Sequence, residues 1–166
     1  MATIYYADAE GAFLGGFCDS LVPPIGAIFV TTAPDDAHKV WVDGQGWVCT
    51  KTQLKAALAE CRYNKEVGGI VLEGLPIPTD DRAKTLIAGK YSKVIAESPP
   101  DATFTIKVAG QFMTITYADL VAIFNAVNAH VQKCFDSEAV VYTAIEAGEV
   151  LTYEQVATAF NTAYEG

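Results

Sequence analysis

The chain has 166 residues, of which 51% are hydrophobic, and it carries a formal net charge of −9. This length and apolar fraction allow one ordinary domain or two small ones with a real core, and they argue against intrinsic disorder. Acidic residues outnumber basic ones in both halves, so the sequence lacks the cluster of Lys and Arg that nucleic acid or an anionic membrane surface requires.

Residues 1–49 predict a small β-rich unit. ATIYY is β-branched and aromatic, DAEG is typical of a turn, and GAFLGGF has the pattern of a returning strand. LVPPIGAIFV is an apolar run that begins at a Pro-Pro pair, which favours an edge or a bend. HKVWVDGQGWV alternates around a predicted turn at Asp43-Gly44.

A helix is predicted next, over residues 50–68, and we interpret it as a connector between two units. Thr50 and Gln53 have the three-residue spacing of a capping box, so the helix should begin at Thr50. The Gly68-Gly69 pair should end it.

Residues 69–166 predict a second unit that combines strands and helices. IVLEGLPIP is a short extended piece with a glycine turn, and Thr79 is the predicted cap of a helix that runs to about Ala96. FTIKV and FMTIT should then pair as a β-hairpin. The predicted fold class is therefore α+β, with a small β-rich N-terminal unit, a connector helix and a C-terminal unit.

The clearest helical pattern covers residues 117–147. Thr116 is placed to cap this helix, and Gly148 should stop it. Thr152, with Gln155 three residues later, predicts the start of a last short helix.

Apolar residues of the long helix recur every three or four positions, in a heptad-like seam with one ionisable member. A single polar seam residue often fixes register and oligomer state, so we favour a charged partner for Glu138 in a second chain over a fully exposed Glu138. The Asp136-Ser137 pair is a predicted kink, and a full break there would make a helical hairpin. The predicted oligomer seam comprises Leu120, Phe124, Val127, Val131, Cys134 and Glu138, and the pattern continues through Val141 and Ile145.

The run HVQKCFDSE places His130, Cys134 and Glu138 four residues apart, so the three side chains stack along one side of a helix. Such residues can bind zinc, but a zinc site usually takes another Cys or His, and the sequence holds one other histidine, His38. We favour Cys134 as an apolar filler and His130 as a flank residue, with no metal and no cofactor.

Catalytic motifs do not stand out in the sequence. Asp35-Asp36 and Asp80-Asp81 are adjacent pairs whose side chains point apart, so we interpret them as loop ends or helix caps. The sequence has no G-x-S-x-G, H-E-x-x-H or Walker pattern, and we predict that the protein is not an enzyme.

Aromatic residues are dense in the first 49 residues. A unit of this size cannot bury all of them on one face, so some rings are either covered by the second unit or exposed as a binding patch. Phe17 belongs to this group, and our hypothetical partner-binding residues are Tyr5, Tyr6, Phe13, Trp41 and Trp47.

Three pieces of the second unit carry a family resemblance: IPTDDRAKTLIAG, a central hairpin with G-Q-F, and AHVQKCFDSEAVVYTAIEAGE. The segment from Gly74 to Ile145 resembles a domain family of unknown function from phages and prophages, found in the C-terminal half of tail-fibre-associated proteins. The H-x-x-x-C-F-x-x-E run is its most specific match, and the family brings no established chemistry to it.

The N-terminal IYYADAEGAFLGGF, followed by APDDAHKVWVDGQGWV, is similar to the start of tail-fibre assembly proteins. The two resemblances imply a non-enzymatic accessory protein that binds a phage tail fibre, as an assembly chaperone or as a fibre-bound subunit. The alternative is a structural subunit of the virion tail or baseplate with no chaperone role. A metal protein built on His130, Cys134 and Glu138 is the third hypothesis.

The sequence also indicates where the chain is made. It has no uncharged apolar run of about 18 residues, and MATIYYADAEGAF lacks the basic start of a signal peptide. The four cysteines are far apart with no C-x-x-C, which favours reduced thiols. We expect synthesis in the cytoplasm of a bacterial host, with the protein either released after assembly or retained on the virion tail.

Overall fold

The computed structural model describes residues 3–18, 21–97, 99–108 and 110–166, and it confirms the predicted α+β class. Ala109, which belongs to the predicted turn of the later hairpin, lies outside the described residues. The helices are α1 (Lys51–Val67), α2 (Asp81–Glu97), α3 (Tyr117–Ala147) and α4 (Tyr153–Glu165). The strands are β1 (Thr3–Ala7), β2 (Phe13–Cys18), β3 (Ile28–Val30), β4 (Val40–Val42), β5 (Gly46–Val48), β6 (Ile70–Leu72), β7 (Leu75–Ile77), β8 (Thr103–Val108) and β9 (Gln111–Thr116).

The N-terminal unit is a three-stranded antiparallel sheet in the order β2-β1-β3, joined by the separate β4–β5 hairpin. The turn between β1 and β2 forms as predicted, because the Asp8 carboxylate accepts hydrogen bonds from the amides of Glu10 at 3.0 Å and Ala12 at 2.7 Å. The β4–β5 hairpin is attached to this turn, since the Trp41 amide donates to the Gly11 carbonyl at 2.8 Å.

Helix α1 begins as predicted and packs against helices of the C-terminal unit. The Thr50 hydroxyl accepts from the Gln53 amide at 3.3 Å, and the Gln53 side chain accepts from the Thr50 amide at 2.9 Å, which is a complete capping box. Two residues of this helix, Leu54 and Leu58, are buried in one core together with residues of α3 and α4. Helix α1 therefore packs in the same core as the two C-terminal helices.

The cap of helix α2 is Asp80 rather than the predicted Thr79. The Asp80 carboxylate accepts from the Ala83 amide at 3.0 Å, three residues into the helix. Thr79 is fully buried and joins two other segments: its hydroxyl accepts from the Gly69 amide at 2.8 Å and donates to the Glu66 carbonyl at 2.5 Å. This side chain ties the end of α1 to the start of α2.

Replacing Thr79 with Val should lower the free energy of unfolding by about 1–3 kcal/mol, because it leaves the Gly69 amide without its buried partner. Urea denaturation of the full chain measures the change. Thr85→Val is the matched control, since the Thr85 hydroxyl donates to the Asp81 carbonyl at an exposed site. An equal effect of both substitutions would contradict this role of Thr79.

Helix α3 has the predicted bounds and runs without a break for 31 residues. Thr116 and Asp119 form a capping box at its start, and Gly148 ends it in the left-handed region at φ 76°. At the predicted kink, the Ser137 hydroxyl donates to the Lys133 carbonyl one turn earlier at 2.7 Å, so the polar side chain is satisfied inside the helix.

The buried face of α3 differs from the predicted seam at three positions. Phe124, Val131 and Glu138 are only half-buried, and their predecessors Ile123, His130 and Ser137 take the inner positions. Both sets repeat every three or four residues, so periodicity alone does not separate them. The buried residues are Leu120, Ile123, Val127, His130, Cys134, Ser137, Val141 and Ile145.

The buried face of α3 packs against elements of the same chain. Its N-terminal half lies in one hydrophobic core with α2 and the strands β7 and β9, and its C-terminal half lies in a second core with α1 and α4. Leu120, Val127 and Cys134 of the predicted oligomer seam are therefore buried within the chain itself.

Candidate functional site

The five aromatic residues predicted to bind a partner fall into two groups, on opposite faces of the N-terminal sheet. Alternation along β1 separates Tyr5 from Tyr6, as the sequence predicted. Tyr5 joins a row of rings that leads to the β4–β5 hairpin, whereas Tyr6 lies on the other face.

The first group is a row of rings that connects the sheet to the hairpin, and its members are half-buried except Phe13, which is 37% exposed. Its ring centroids lie 6.3 Å apart for Tyr5 and Phe13, 5.7 Å for Phe13 and Trp47, and 5.5 Å for Trp47 and Trp41. The Trp47 indole also donates to the Thr32 carbonyl at 2.8 Å. These rings hold the small unit together, because Ala7 and Val30, on the same face as Tyr5, are fully buried.

The second group has one predicted member, Tyr6, which forms an aromatic face together with residues that were not predicted. Tyr6 lies edge-on to Phe17 at 5.7 Å and to Phe29 at 6.4 Å, and it occupies the central strand between them. Phe29 is 61% exposed, and Ile4, Tyr6 and Phe17 are half-buried. We call these four residues the aromatic face.

Phe29 is a member that the sequence did not reveal. It lies opposite Tyr6 because β3 pairs with β1, and this pairing joins residues more than twenty positions apart. The segment that leads into β3 adds further apolar surface, since Leu21, Val22 and Ile25 are all exposed. Contiguous exposed apolar surface is a common feature of protein-binding sites.

His130 is a buried junction residue rather than a flank residue. Its Nε2 lies 3.2 Å from the carbonyl oxygens of both Lys65 and Glu66, so this nitrogen carries the proton and donates to the end of α1. Its Nδ1 then accepts from the Tyr164 hydroxyl at 2.7 Å. The ring thus joins α3 to α1 and α4, and both of its nitrogens have partners.

Cys134 completes the interior of this junction. Its sulfur lies 3.9 Å from Nε2 and 4.0 Å from Nδ1 of His130, and it is fully buried. Burial raises the pKa of the Cys134 thiol and, likewise, that of the Tyr164 hydroxyl, so both groups stay protonated near neutral pH. The buried thiol and the imidazole therefore contribute packing and hydrogen bonds to this junction.

Glu138, the third residue of the predicted stack with His130 and Cys134, forms an ion pair with Arg62 of its own chain. Arg62 Nε lies 3.2 Å from Glu138 Oε2, although the angle is not that of a hydrogen bond, so this is a charge contact. The partner expected in a second chain is therefore found within the first. Among the described residues, no group of three His, Cys, Asp or Glu side chains is arranged to hold a metal ion.

The same Arg62 takes part in a larger buried charge cluster. Glu66 is 7% exposed and forms ion pairs with both Arg62 and Lys84, and Lys84 also pairs with Asp81 at 3.0 Å. The cluster joins α1, α2 and α3 at the level of His130. Two of these pairs are local, at i,i+4 for Arg62 and Glu66 and at i,i+3 for Asp81 and Lys84, but the pair that joins α1 to α2 links residues 18 positions apart.

A polar cavity of about 540 Å³ lies beside the junction, bordered by the end of α1, the start of β6, His130 and Tyr164. Two cations flank its aromatic wall: Lys65 Nζ lies 4.4 Å and Lys133 Nζ 5.1 Å from the centre of the Tyr164 ring. Each ammonium group is therefore at cation–π distance from the Tyr164 ring.

The two acidic pairs have the structural roles that the sequence favoured. Asp35 forms an ion pair with Lys39 at 2.7 Å, and Asp36 accepts from the His38 amide at 2.8 Å. Asp80 caps α2, as described above. These carboxylates belong to turns and a helix start, which is why each pair's side chains diverge.

Among the residues that the structure describes, no helix combines the length and the hydrophobicity that a bilayer crossing requires.

Comparisons with known proteins identify the C-terminal unit. Neither the curated proteins nor the solved structures contain a match to the chain. The sequence model of one family, "Domain of unknown function (DUF4376)", matches residues 49–163. This match begins at Cys49, whose side chain is buried in the core formed by α1, α3 and α4. The chain therefore belongs to the DUF4376 family.

Proposed function

We propose that the chain is a non-enzymatic interaction protein of a phage or prophage tail, and that it binds the tail fibre through the aromatic face of its N-terminal sheet. It acts in the bacterial cytoplasm during assembly, as a fibre chaperone or as a subunit that stays on the fibre. The support is the aromatic face itself, together with the similarity of this unit to the start of tail-fibre assembly proteins.

The carrying observation is that Phe29, the most exposed ring of the two aromatic groups at 61%, contacts Tyr6 on the face away from the β4–β5 hairpin. Exposed aromatic rings cost solubility unless a partner covers them, and buried aromatic anchors supply most of the energy at protein interfaces. The acidic balance of the chain adds that its partner is not a nucleic acid.

Co-expression with the neighbouring fibre gene, followed by size-exclusion chromatography with light scattering, tests this proposal. We expect the two proteins to elute together, and we expect Phe29→Ser to weaken the complex about tenfold or more. Phe112→Ser is the matched control, because Phe112 is 76% exposed on the other unit, and it should leave the complex unchanged.

Two other outcomes would decide against this function. A fibre that never associates with the chain would refute fibre binding. A fixed copy number in purified particles, with fibre solubility independent of this chain, would favour the alternative of a structural tail or baseplate subunit.

A further inference from the structure

The polar cavity of about 540 Å³ beside the His130 junction uses no residue of the aromatic face. Its walls are the last turn of α1 with the start of β6, one residue of α3, His130, and one residue of α4, Tyr164. Three segments that are far apart in sequence therefore meet around it. The volume is within the roughly 300–1,000 Å³ of typical small-molecule sites.

The charge on the cavity wall is opposite to that of the chain as a whole. Acidic residues outnumber basic ones by 20 to 11 in the chain, yet among the described residues no Asp or Glu lines the cavity, and its one charged side chain is Lys65. Lys65 Nζ lies 4.4 Å from the centre of the Tyr164 ring, which is itself part of the wall, and Lys133 Nζ lies 5.1 Å from the same centre. Two positive charges are thus held at one wall of the cavity.

Neither of these ammonium groups has a carboxylate partner among the described residues. Six other basic side chains each lie within 4.0 Å of a carboxylate oxygen, as Lys39 does at 2.7 Å from Asp35. An aromatic ring attracts a cation through its quadrupole but carries no net charge to neutralise it. Lys65 and Lys133 are therefore free to pair with an anion from outside the chain.

The negative end of α1 is compensated where it borders the cavity. The last carbonyl groups of a helix carry partial negative charge, which disfavours an anion nearby. Here the carbonyl oxygens of Lys65 and Glu66 each lie 3.2 Å from His130 Nε2, and that of Glu66 also accepts from the Thr79 hydroxyl at 2.5 Å. These hydrogen bonds offset the charge of the helix end.

Strand β6 adds a backbone donor to the wall. Val71 lies opposite Pro76, next to the pair that closes the two-residue turn of the β6–β7 hairpin. In such a hairpin the closing pair is hydrogen-bonded and the next pair is not, so the Val71 N–H points away from β7. None of the described β7 residues lines the cavity, which therefore lies on this outer side of β6. The exposed Asn64 side chain adds an amide donor.

We propose that this cavity binds a small phosphate monoester. Its head lies at Lys65 and Lys133, and its organic part lies against the Tyr164 ring and Ile70. A phosphate monoester carries nearly two negative charges and three terminal oxygens that accept hydrogen bonds, which matches two ammonium groups and the Val71 N–H. This binding does not depend on the proposed fibre contact.

Isothermal titration of the full chain with phenyl phosphate is the direct test, at a pH well above the second phosphate pKa of about 6. We expect one saturable site, for which inorganic phosphate competes. Benzyl alcohol, which keeps the aromatic ring without the charge, should bind at least about tenfold more weakly, because it forms neither charge pair. Equal binding of phenyl phosphate and benzyl alcohol, or no saturable binding of phenyl phosphate, overturns the proposal.

Variants then locate the site. The double variant Lys65→Gln/Lys133→Gln should weaken phenyl phosphate binding about fivefold or more, since each partly exposed charge pair contributes up to about a fivefold change. Lys65→Arg/Lys133→Arg keeps both charges and should bind within about twofold of the wild type. Lys93→Gln is the matched control, because Lys93 lies on α2 and is not part of the cavity wall. Unchanged affinity in the glutamine variant, or an equal loss in the glutamine and arginine variants, refutes this site.

Discussion

Replacing Glu66 with Gln should lower the free energy of unfolding by about 3 kcal/mol. The carboxylate is nearly buried and holds Arg62 and Lys84 together, so its neutral replacement leaves two cations facing each other. Removing one partner of a buried ion pair typically costs about 3–5 kcal/mol. We expect a loss at the lower end of this range, because Arg62 would still pair with Glu138 and Lys84 would still pair with Asp81.

Urea denaturation at neutral pH measures this effect, and Glu60→Gln is its control. Glu60 is an exposed residue of the same helix, so its substitution should change the stability by less than about 0.5 kcal/mol. A Glu66→Gln protein as stable as the Glu60→Gln protein would show that the cluster contributes nothing net.

The same comparison has a definite pH dependence. Burial alone raises the pKa of Glu66, but the hydrogen bonds from Lys84 and Arg62 outweigh it, so the pKa of this carboxyl in the folded chain is lowered. Its contribution is therefore complete above the ordinary glutamate pKa and is lost as the pH falls through the lowered value. The stability gap between the wild type and Glu66→Gln should narrow in acid. A constant gap from pH 7 downward would contradict this origin.

Replacing Gly11 with Ala should disrupt the N-terminal unit while sparing the helices. Gly11 has φ 86°, where a non-glycine residue costs about 1–3 kcal/mol. A methyl group here would also collide with the carbonyl oxygen of Trp41 and lie 3.0 Å from its amide nitrogen, at the one place where the β4–β5 hairpin is bonded to the β1–β2 turn. The backbone of the β1–β2 turn and that of strand β4 are hydrogen-bonded to each other here, so neither can move aside easily.

Gly44→Ala is the control that separates the cost of the positive φ from the cost of the collision with Trp41. Gly44 has a similar φ of 76° in the β4–β5 turn, but a methyl group there would meet nothing within 4 Å. Both tryptophans of the chain, Trp41 and Trp47, lie in the N-terminal unit, so tryptophan fluorescence reports this unit and far-ultraviolet circular dichroism mainly reports the helices. We expect Gly11→Ala to lower the urea midpoint of the fluorescence transition much more than Gly44→Ala does. Equal midpoints would mean that the collision is relieved.

The features that the sequence predicted well are those fixed by neighbouring residues. The caps at Thr50, Thr116 and Thr152 were all found, because a capping side chain bonds to an amide three residues away. The glycine turn between β6 and β7 is equally local: Glu73 and Gly74 both have positive φ, as a two-residue hairpin turn requires.

The features that were missed depend on contacts between distant segments. Thr79 has the sequence context of a cap, but Gly69 and Glu66 claim its hydroxyl. The apolar seam suggested Val131 and Glu138, whereas close packing of α3 against α1 favours the smaller Ser137 and the doubly bonded His130. Burial of a polar residue whose partners lie far away in sequence cannot be inferred from periodicity.

Helix α3 is shared by two separate cores, and this has a consequence for how the family's domain folds. Loss of either core would expose half of the same apolar face, and a lone helix draws most of its stability from such packing. The His130 junction bonds α3 to α1 and α4, and the ion pair of Glu66 with Lys84 links α1 to α2, so the two cores are connected. Residues 49–163 should therefore form one cooperative folding unit, in which neither core can assemble or melt on its own.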